Sequence, residues 1–271
     1  MRLFYLILLL LAPAVWAEDT ALEALQTGDA ARDWQAVGRL DIAGTGFCTG
    51  ALISEQLVLT AAHCLFNSRT RAQVNPDQIE FRAGWRNGRA EAYRDVRRAV
   101  VHPEYVFGKK ANATEVRNDV ALLELSHPIR NGRITPFPIA PSTRKGDTVG
   151  VVSYARDRSE APSLQETCRV MARQMGVLVM SCDVNFGSSG APVFQFGAGQ
   201  PQITSVVSAM AQMQGQPVAL GVSLKGQIEL LQSALDAGKG VYQAPAPVRQ
   251  SVRKLSGGTA RQAGGAKFVR P

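Results

Sequence analysis

Short apolar runs separated by turn residues fill the middle of this chain, and that texture limits the fold more than any other feature. The first set is Val37-Gly38-Arg39-Leu40-Asp41-Ile42, Gly50-Ala51-Leu52-Ile53, Leu57-Val58-Leu59-Thr60, Gln78-Ile79-Glu80-Phe81-Arg82-Ala83, Ala99-Val100-Val101 and Val120-Ala121-Leu122-Leu123-Glu124-Leu125. After Pro136-Phe137-Pro138-Ile139 comes a second set, at residues 147–154, 168–170, 176–182, 192–196, 203–210 and 218–224. The runs lack sustained helical periodicity, so they read as the strands of an all-β barrel or sandwich. Two similar halves of about 100 residues suggest two packed β domains, at 34–138 and 139–237. Residues 225–237 place Ile228, Leu231 and Leu235 at helical spacing, which predicts a short terminal helix.

The two ends have a different character. Arg2, the apolar run 3–12 and the small-residue ending Val15-Trp16-Ala17 read as a secretory signal peptide, residues 1–17. No later run is long and apolar enough for a membrane helix. An exported soluble protein is therefore expected, secreted or periplasmic. Residues 18–33 read as an N-terminal extension, either one or two amphipathic helical turns or a pro-segment. Residues 238–271 hold seven cations, no Asp or Glu and little apolar material, and read as a disordered basic tail. Without Arg2 and the tail, Lys and Arg balance Asp and Glu, so the net charge of +8 belongs to the ends. Such a tail suits anionic polymers or a membrane surface; a solvated end is the plainer reading. No nucleic-acid partner is expected, and a monomer is.

Export makes the cysteines informative. Cys48, Cys64, Cys168 and Cys182 form an even set, which in an oxidising compartment suggests two disulfides. Local pairing, Cys48–Cys64 and Cys168–Cys182, is the simplest of three connectivities. Each such loop would stabilise the fold by about 3 kcal/mol on the chain-entropy account. Zinc is the competing use, but there is no Cys-x-x-Cys and only three histidines are present. No metal and no cofactor are expected.

Chemistry enters at Gly187-Ser188-Ser189-Gly190-Ala191-Pro192. Glycines beside a serine allow a sharp turn and close approach of a substrate. A serine hydroxyl is a weak nucleophile until a base takes its proton and a further group orients that base. Alone, the stretch reads as a loop. Two other stretches supply what is missing. Thr60-Ala61-Ala62-His63-Cys64 follows an apolar strand, and Asn118-Asp119-Val120-Ala121-Leu122-Leu123 puts a carboxylate at the mouth of another. Each has a bland reading, a structural histidine beside a half-cystine and a turn aspartate. The order His63, Asp119, Ser189 differs from the Ser, Asp, His order of α/β-hydrolases, and Ala191 breaks their Gly-x-Ser-x-Gly elbow. His102 and His127 each precede proline and read as surface or turn residues.

With these stretches, and with Cys48-Thr49-Gly50-Ala51-Leu52-Ile53, Val101-His102-Pro103-Glu104-Tyr105 and Cys182-Asp183, residues 37–235 resemble the trypsin/chymotrypsin-like serine peptidases. The likeness is to the bacterial secreted branch that includes the glutamyl endopeptidases. The resemblance implies an all-β fold of two packed antiparallel six-stranded β-barrels, a site in the cleft between them, and protein or peptide substrates. It implies Ser189 as nucleophile, His63 as base and Asp119 as its orienting partner. It gives the N–H groups of Gly187 and Ser189 to an oxyanion hole and makes Cys48–Cys64 a brace for the histidine loop. Asp183, six residues before Ser189, would lie at the floor of a pocket favouring Arg or Lys, with Ser208 and Met210 on the substrate strand and Gly221 in the far wall; the alternative is a small or apolar specificity, with Met210 narrowing the entrance and Asp183 a structural residue beside Cys182 bonded to its own loop. Ser188 departs from the family, because trypsin-like zymogens carry there the aspartate that receives the new N-terminus. The extra disulfide beside the specificity pocket is absent as well. No histidine follows His127, which disfavours a glutamate pocket. The reading from another class is a catalytically idle binding domain with a basic anchor, which labelling by a fluorophosphonate would separate from an active enzyme.

Overall fold

Strands dominate the computed structural model, which describes residues 19–43, 46–108, 112–197 and 199–244. In chain order they are β1 (Glu23–Ala24), β2 (Val37–Ile42), β3 (Gly46–Leu52), β4 (Leu57–Thr60), β5 (Ile79–Ala83), β6 (Ala92–Val101), β7 (Ala121–Leu125), β8 (Thr148–Ala155), β9 (Arg158–Gln174), β10 (Val177–Met180), β11 (Pro192–Gln195), β12 (Gln202–Met213), β13 (Gln216–Ser223) and β14 (Val241–Gln243). The helices are α1 (Ala113–Asn118) and α2 (Gln227–Ala237).

Two strands carry out the closures. The first half of β6 pairs with β5 and its second half with β7, across a register shift between Val96 and Arg98, and this closes the barrel β5-β2-β3-β4-β7-β6. The long β9 likewise pairs with both β10 and β8 and closes the barrel β9-β10-β13-β12-β11-β8. Every pairing inside the barrels is antiparallel. The bulges supply the bend that closure needs, and the edges left open on β9 and β6 are taken by β1 and β14. The barrel cores follow from alternation, as in β5, where Ile79, Phe81 and Ala83 are buried and Glu80 and Arg82 are not. Alternation gives way where strands are covered on both faces, as in β7, with all five residues buried, and in β8, with seven in succession.

The barrels are locked face to face. Trp34 before β2, Phe137 in the linker and Phe194 on β11 form an aromatic cluster, with centroid separations of 5.0 Å for Trp34–Phe194 and 4.7 Å for Phe137–Phe194. Tyr154 of β8 is fully buried, and its hydroxyl donates to the Trp85 carbonyl of the first barrel at 2.8 Å. Among the described residues no helix is long and apolar enough to cross a membrane.

Some expectations need correction. Where described, residues 18–33 hold a strand, β1, that lies along β9, and their helical content is the 3-10 turn Arg32–Trp34 at their end. The chain does not become a free tail at 238, since β14 pairs with β6 through Val241↔Val100 and Gln243↔Arg98. Residues 245–271, like residues 1–17, which were expected to be a signal peptide, lie outside the described residues. His102 is buried rather than at the surface, 5% exposed, with its Nδ1 accepting from the Glu104 N–H at 3.2 Å. His127 is exposed. Both local disulfides, Cys48–Cys64 and Cys168–Cys182, are formed.

Candidate active site

Asp119 is aimed by the helix that ends on it. Asn112 and Glu115 form a capping box that starts α1, and Asp119 closes it with its N–H on the Val116 carbonyl. The very apolar β7 then pulls the backbone into the core, leaving the carboxylate only 4% exposed at the strand mouth. A carboxylate so placed must be fully hydrogen-bonded, since an unpaired buried charge is costly. Its Oδ1 accepts the His63 backbone N–H at 2.8 Å, and its Oδ2 faces His63 Nδ1 at 2.7 Å. Ser208 of β12 donates its hydroxyl to the same Oδ2.

His63 sits in a 3-10 turn, Ala62–Leu65, directly after β4 and pinned to β3 by Cys48–Cys64. Because a carboxylate only accepts, Nδ1 must donate, and the neutral ring carries its lone pair on Nε2. Burial alone would push the pKa of this ring down. The charge of Asp119 and the hydrogen bond to it outweigh that, and the pKa stands above its ordinary 6.5. Cys64 Sγ lies 3.9 Å from Nε2, but a disulfide sulfur is not a thiolate ligand, so these three side chains do not make a metal site.

Ser189 lies in the loop entering β11. Gly187 and Gly190 have φ of +101° and +77°, the left-handed region that favours glycine. Space restricts Gly190 too, because a Cβ there would stand 2.1 Å from Thr60 Oγ1 and 2.3 Å from the Thr49 carbonyl oxygen. Thr49 of β3 holds the loop from the other barrel. Its N–H donates to the Ser189 carbonyl at 2.8 Å and its hydroxyl to the Gly187 carbonyl at 2.9 Å. Ser188 is fully buried, its hydroxyl 3.2 Å from Ser153 Oγ and 3.3 Å from the Tyr154 carbonyl. With the carbonyls engaged this way, the N–H groups of Gly187 and Ser189 meet no acceptor among the described residues.

His63, Gly187 and Ser189 line one cleft of about 310 Å³, walled by Phe47, Phe66, Phe107 and Phe186. No hydrogen bond joins Ser189 Oγ to His63. Such contacts commonly tighten only when substrate is bound. On the far side of His63 a smaller cleft of about 170 Å³ is lined by Tyr105, Glu115, Asp119, Ser208 and Ala209. The arrangement offers a hydroxyl, an imidazole lone pair backed by a buried carboxylate, and two free N–H donors on one surface, the parts an acyl transfer uses.

The pairing of β12 with β13, through Val207↔Gly221 and Met210↔Ala219, sets Ser208 and Met210 beside Gly221. Ser208 meets Asp119, as described. Met210 is 45% exposed. Gly221 is buried in β13, where a Cβ would lie 2.3 Å from Ser205 Oγ, so close packing leaves no room for a side chain there. Asp183 is exposed and lines neither cleft; what the fold holds there is its backbone N–H, bonded to Gln165 Oε1 at 2.7 Å. The roles of Thr49 and Gln165 had no sequence signal beyond their types, since their partners are brought near only by the folded strands.

Comparison with known proteins bears on the same region. A mouse (Mus musculus) cathepsin G is 32% identical over 117 residues, 42% of this chain and 40% of the relative. A trypsin of Phaedon cochleariae is 37% identical over 98 residues, 35% of this chain and 34% of the relative. The chain therefore spans about a third to two fifths of the length of these curated relatives. A solved structure of a Glu endopeptidase superposes with a TM-score of 0.65 at 18% identity, over 83% of this chain and 99% of that one, a likeness of fold. The family model described as Trypsin matches residues 26–224, a span that holds both barrels together with His63, Asp119 and Ser189, and the chain belongs to that family.

Proposed function

We propose that this protein is a serine endopeptidase, exported to the cell surroundings or the periplasm, that cleaves peptide bonds through an acyl-enzyme. The observation that carries this is the His63–Asp119 pair, held at 2.7 Å and two-pronged, on the cleft it shares with Ser189. Ser189 Oγ attacks the scissile carbonyl while His63 Nε2 takes its proton. His63 then returns the proton to the leaving amine, and water repeats the sequence to release the acid. Asp119 fixes the useful tautomer and stabilises the imidazolium. The N–H groups of Gly187 and Ser189 receive the oxyanion, each such donor being worth about 3 kcal/mol in the transition state. Two formed disulfides suit an oxidising compartment.

A preference for Arg or Lys before the scissile bond rested on Asp183. Asp183 is exposed, so substrate itself would have to cover its carboxylate to give the dry floor on which that preference depends. Matched peptides carrying Arg, Ala, Leu or Glu at that position, cut by the wild type and by Asp183→Ser, decide the matter. The activity itself is tested by fluorophosphonate labelling. The expected result is stoichiometric labelling that Ser189→Ala abolishes in a folded protein. A wild type that stays unlabelled and cuts no peptide would return the chain to the reading as an idle binding domain.

A further inference from the structure

Gln165 of β9 is a polar residue only 4% exposed, and both ends of its amide are used. Its Oε1 accepts the Asp183 N–H at 2.7 Å, and its Nε2 donates to the Thr20 carbonyl at 2.9 Å. The partners set the amide's orientation: a backbone N–H needs the oxygen and a carbonyl needs the NH₂. Both partners are backbone groups far along the chain. Thr20 belongs to the N-terminal segment that lies along β9, where its N–H reaches the Thr167 carbonyl at 2.9 Å, its hydroxyl accepts the Thr167 N–H at 2.9 Å, and Glu23 and Ala24 pair with Leu164 and Ser163. Asp183 opens the loop that runs to Gly187 and Ser189.

That loop has few other anchors at its start. Cys182 is tied to Cys168, and from Asn185 onward the loop bonds to itself through Ser188 and to Arg156. Between these points the Gln165 amide is the hydrogen-bonded support among the described residues. Ser188 cannot hold an N-terminal ammonium as an aspartate would, because its hydroxyl is buried among neutral groups. An N-terminal segment can therefore influence this loop only by a neutral route.

We propose that Gln165 is a positioning residue that couples docking of the N-terminal segment on β9 to the geometry of the loop at 183–187, so that removal of Thr20 disables the nucleophile. The inference rests on the serine-peptidase reading and adds to it a control by N-terminal trimming. A fully desolvated amide does not tolerate the loss of one partner, since the freed group is left buried and unsatisfied. Without the Thr20 carbonyl the amide turns toward solvent and releases the Asp183 N–H. A shift of about 1 Å at Gly187 and Ser189 is enough to cost about 100-fold in rate.

The test compares the wild type, Gln165→Leu, a chain beginning at Ala21, and the two changes combined. The rate of fluorophosphonate labelling, kcat and KM on one peptide, and hydrogen exchange of the amides at 183–187 are measured for each, well below the unfolding midpoint. The expected result is a loss of about 10- to 100-fold in labelling rate and kcat for each single change. KM should move much less, and protection should be lost at 183–187 but kept in β10 and β12. The combined variant should be no worse than the more damaging single one, because both changes break the same link. Blocking the N-terminal amine of the wild type should have no effect. Rates within about twofold of wild type, losses that multiply, or unchanged exchange at 183–187 would each overturn the proposal. A Gln165→Leu chain that does not fold leaves the Ala21 chain, with Gln165 intact, to decide. A wild type that never labels would sink the peptidase reading, while exchange would still report whether trimming reaches the loop.

Discussion

Asp119→Asn isolates the charge of the buried carboxylate without changing its size. In the wild type the two oxygens accept from two different donors of one residue, the His63 N–H at 2.8 Å and Nδ1–H at 2.7 Å. An amide has one oxygen and can satisfy one of them. If that oxygen stays on the backbone N–H, the NH₂ group faces Nδ1 and forces the ring proton onto Nε2, where it blocks the attack of Ser189. If it flips, two N–H donors meet in a site only 4% exposed. The lost charge adds to this. An imidazolium whose charge centre lies ~4 Å from a carboxylate gains about 4 kcal/mol at an effective dielectric constant of about 20. That corresponds to about 10³-fold in rate, at 1.36 kcal/mol for each factor of ten. With the tautomer penalty, kcat/KM at pH 7.5 should fall by about 10³- to 10⁴-fold, the size known for this substitution in the Ser-His-Asp template. The assay is peptide hydrolysis checked against the fluorophosphonate labelling rate, with circular dichroism to show that the fold is kept. A loss under tenfold in a folded protein would refute the argument, because neither the charge nor the tautomer could then matter.

The remaining predictions concern pH and packing. Since His63 works as a neutral base and its pKa is raised, the acid limb of kcat/KM should lie above pH 6.5 and move down in Asp119→Asn, as a pH–rate profile would show. The same raised pKa makes protonated His63 stabilising: that contribution is complete below pH 6.5 and fades as pH rises through the folded value, which pH-dependent denaturant midpoints of wild type and His63→Gln would reveal. His102 has the opposite sign. Burial comes first among the causes that lower its pKa, so stability should be lost as pH falls from 6.5 toward the folded value, and His102→Gln should flatten that slope. Gly190→Ala puts a Cβ 2.3 Å from the Thr49 carbonyl oxygen at φ +77°. It should lower the unfolding free energy by about 2–4 kcal/mol, and a denaturation midpoint near that of wild type would contradict the packing argument.

The barrels were legible because alternation and short runs encode strands locally. The residues proposed as a triad stood out because each lies beside a recognisable strand end. What escaped the sequence is set at long range. β9 runs for 17 residues, yet only Cys168-Arg169-Val170 looked like a strand, because the remainder alternates polar residues across a surface that two neighbours share. β1 and β14 are strands only because another strand offers an edge beside them. His102 reads as a turn residue before Pro103, and its burial comes from the fold around it. Asp183 shows the limit of spacing as a guide. Its distance of six residues from Ser189 sets its place in the loop, while the bond of its N–H to Gln165 Oε1 comes from a strand remote in sequence.

The placement of these residues also explains why barrel packing and chemistry should be hard to separate here. Asp119 comes from the first barrel, and one of its donors, Ser208, from the second. Ser189 belongs to the second barrel, and its carbonyl is held by Thr49 of the first. Thr49 Oγ1 in turn accepts the Tyr154 N–H at 3.1 Å, on the strand whose tyrosine hydroxyl crosses back to Trp85. The hydrogen bonds that set the site are therefore also bonds across the interface. A slip of one barrel against the other would break them together. The cluster of Trp34, Phe137 and Phe194 lies outside both clefts, yet it helps fix the register on which the Ser208–Asp119 and Thr49–Ser189 contacts between the barrels are built. A cavity there, as in Phe194→Ala, costs about 3–5 kcal/mol of stability. It should also lower kcat in the molecules that remain folded, whereas a smaller cavity deep in the second barrel, as in Leu178→Ala, should lower stability alone.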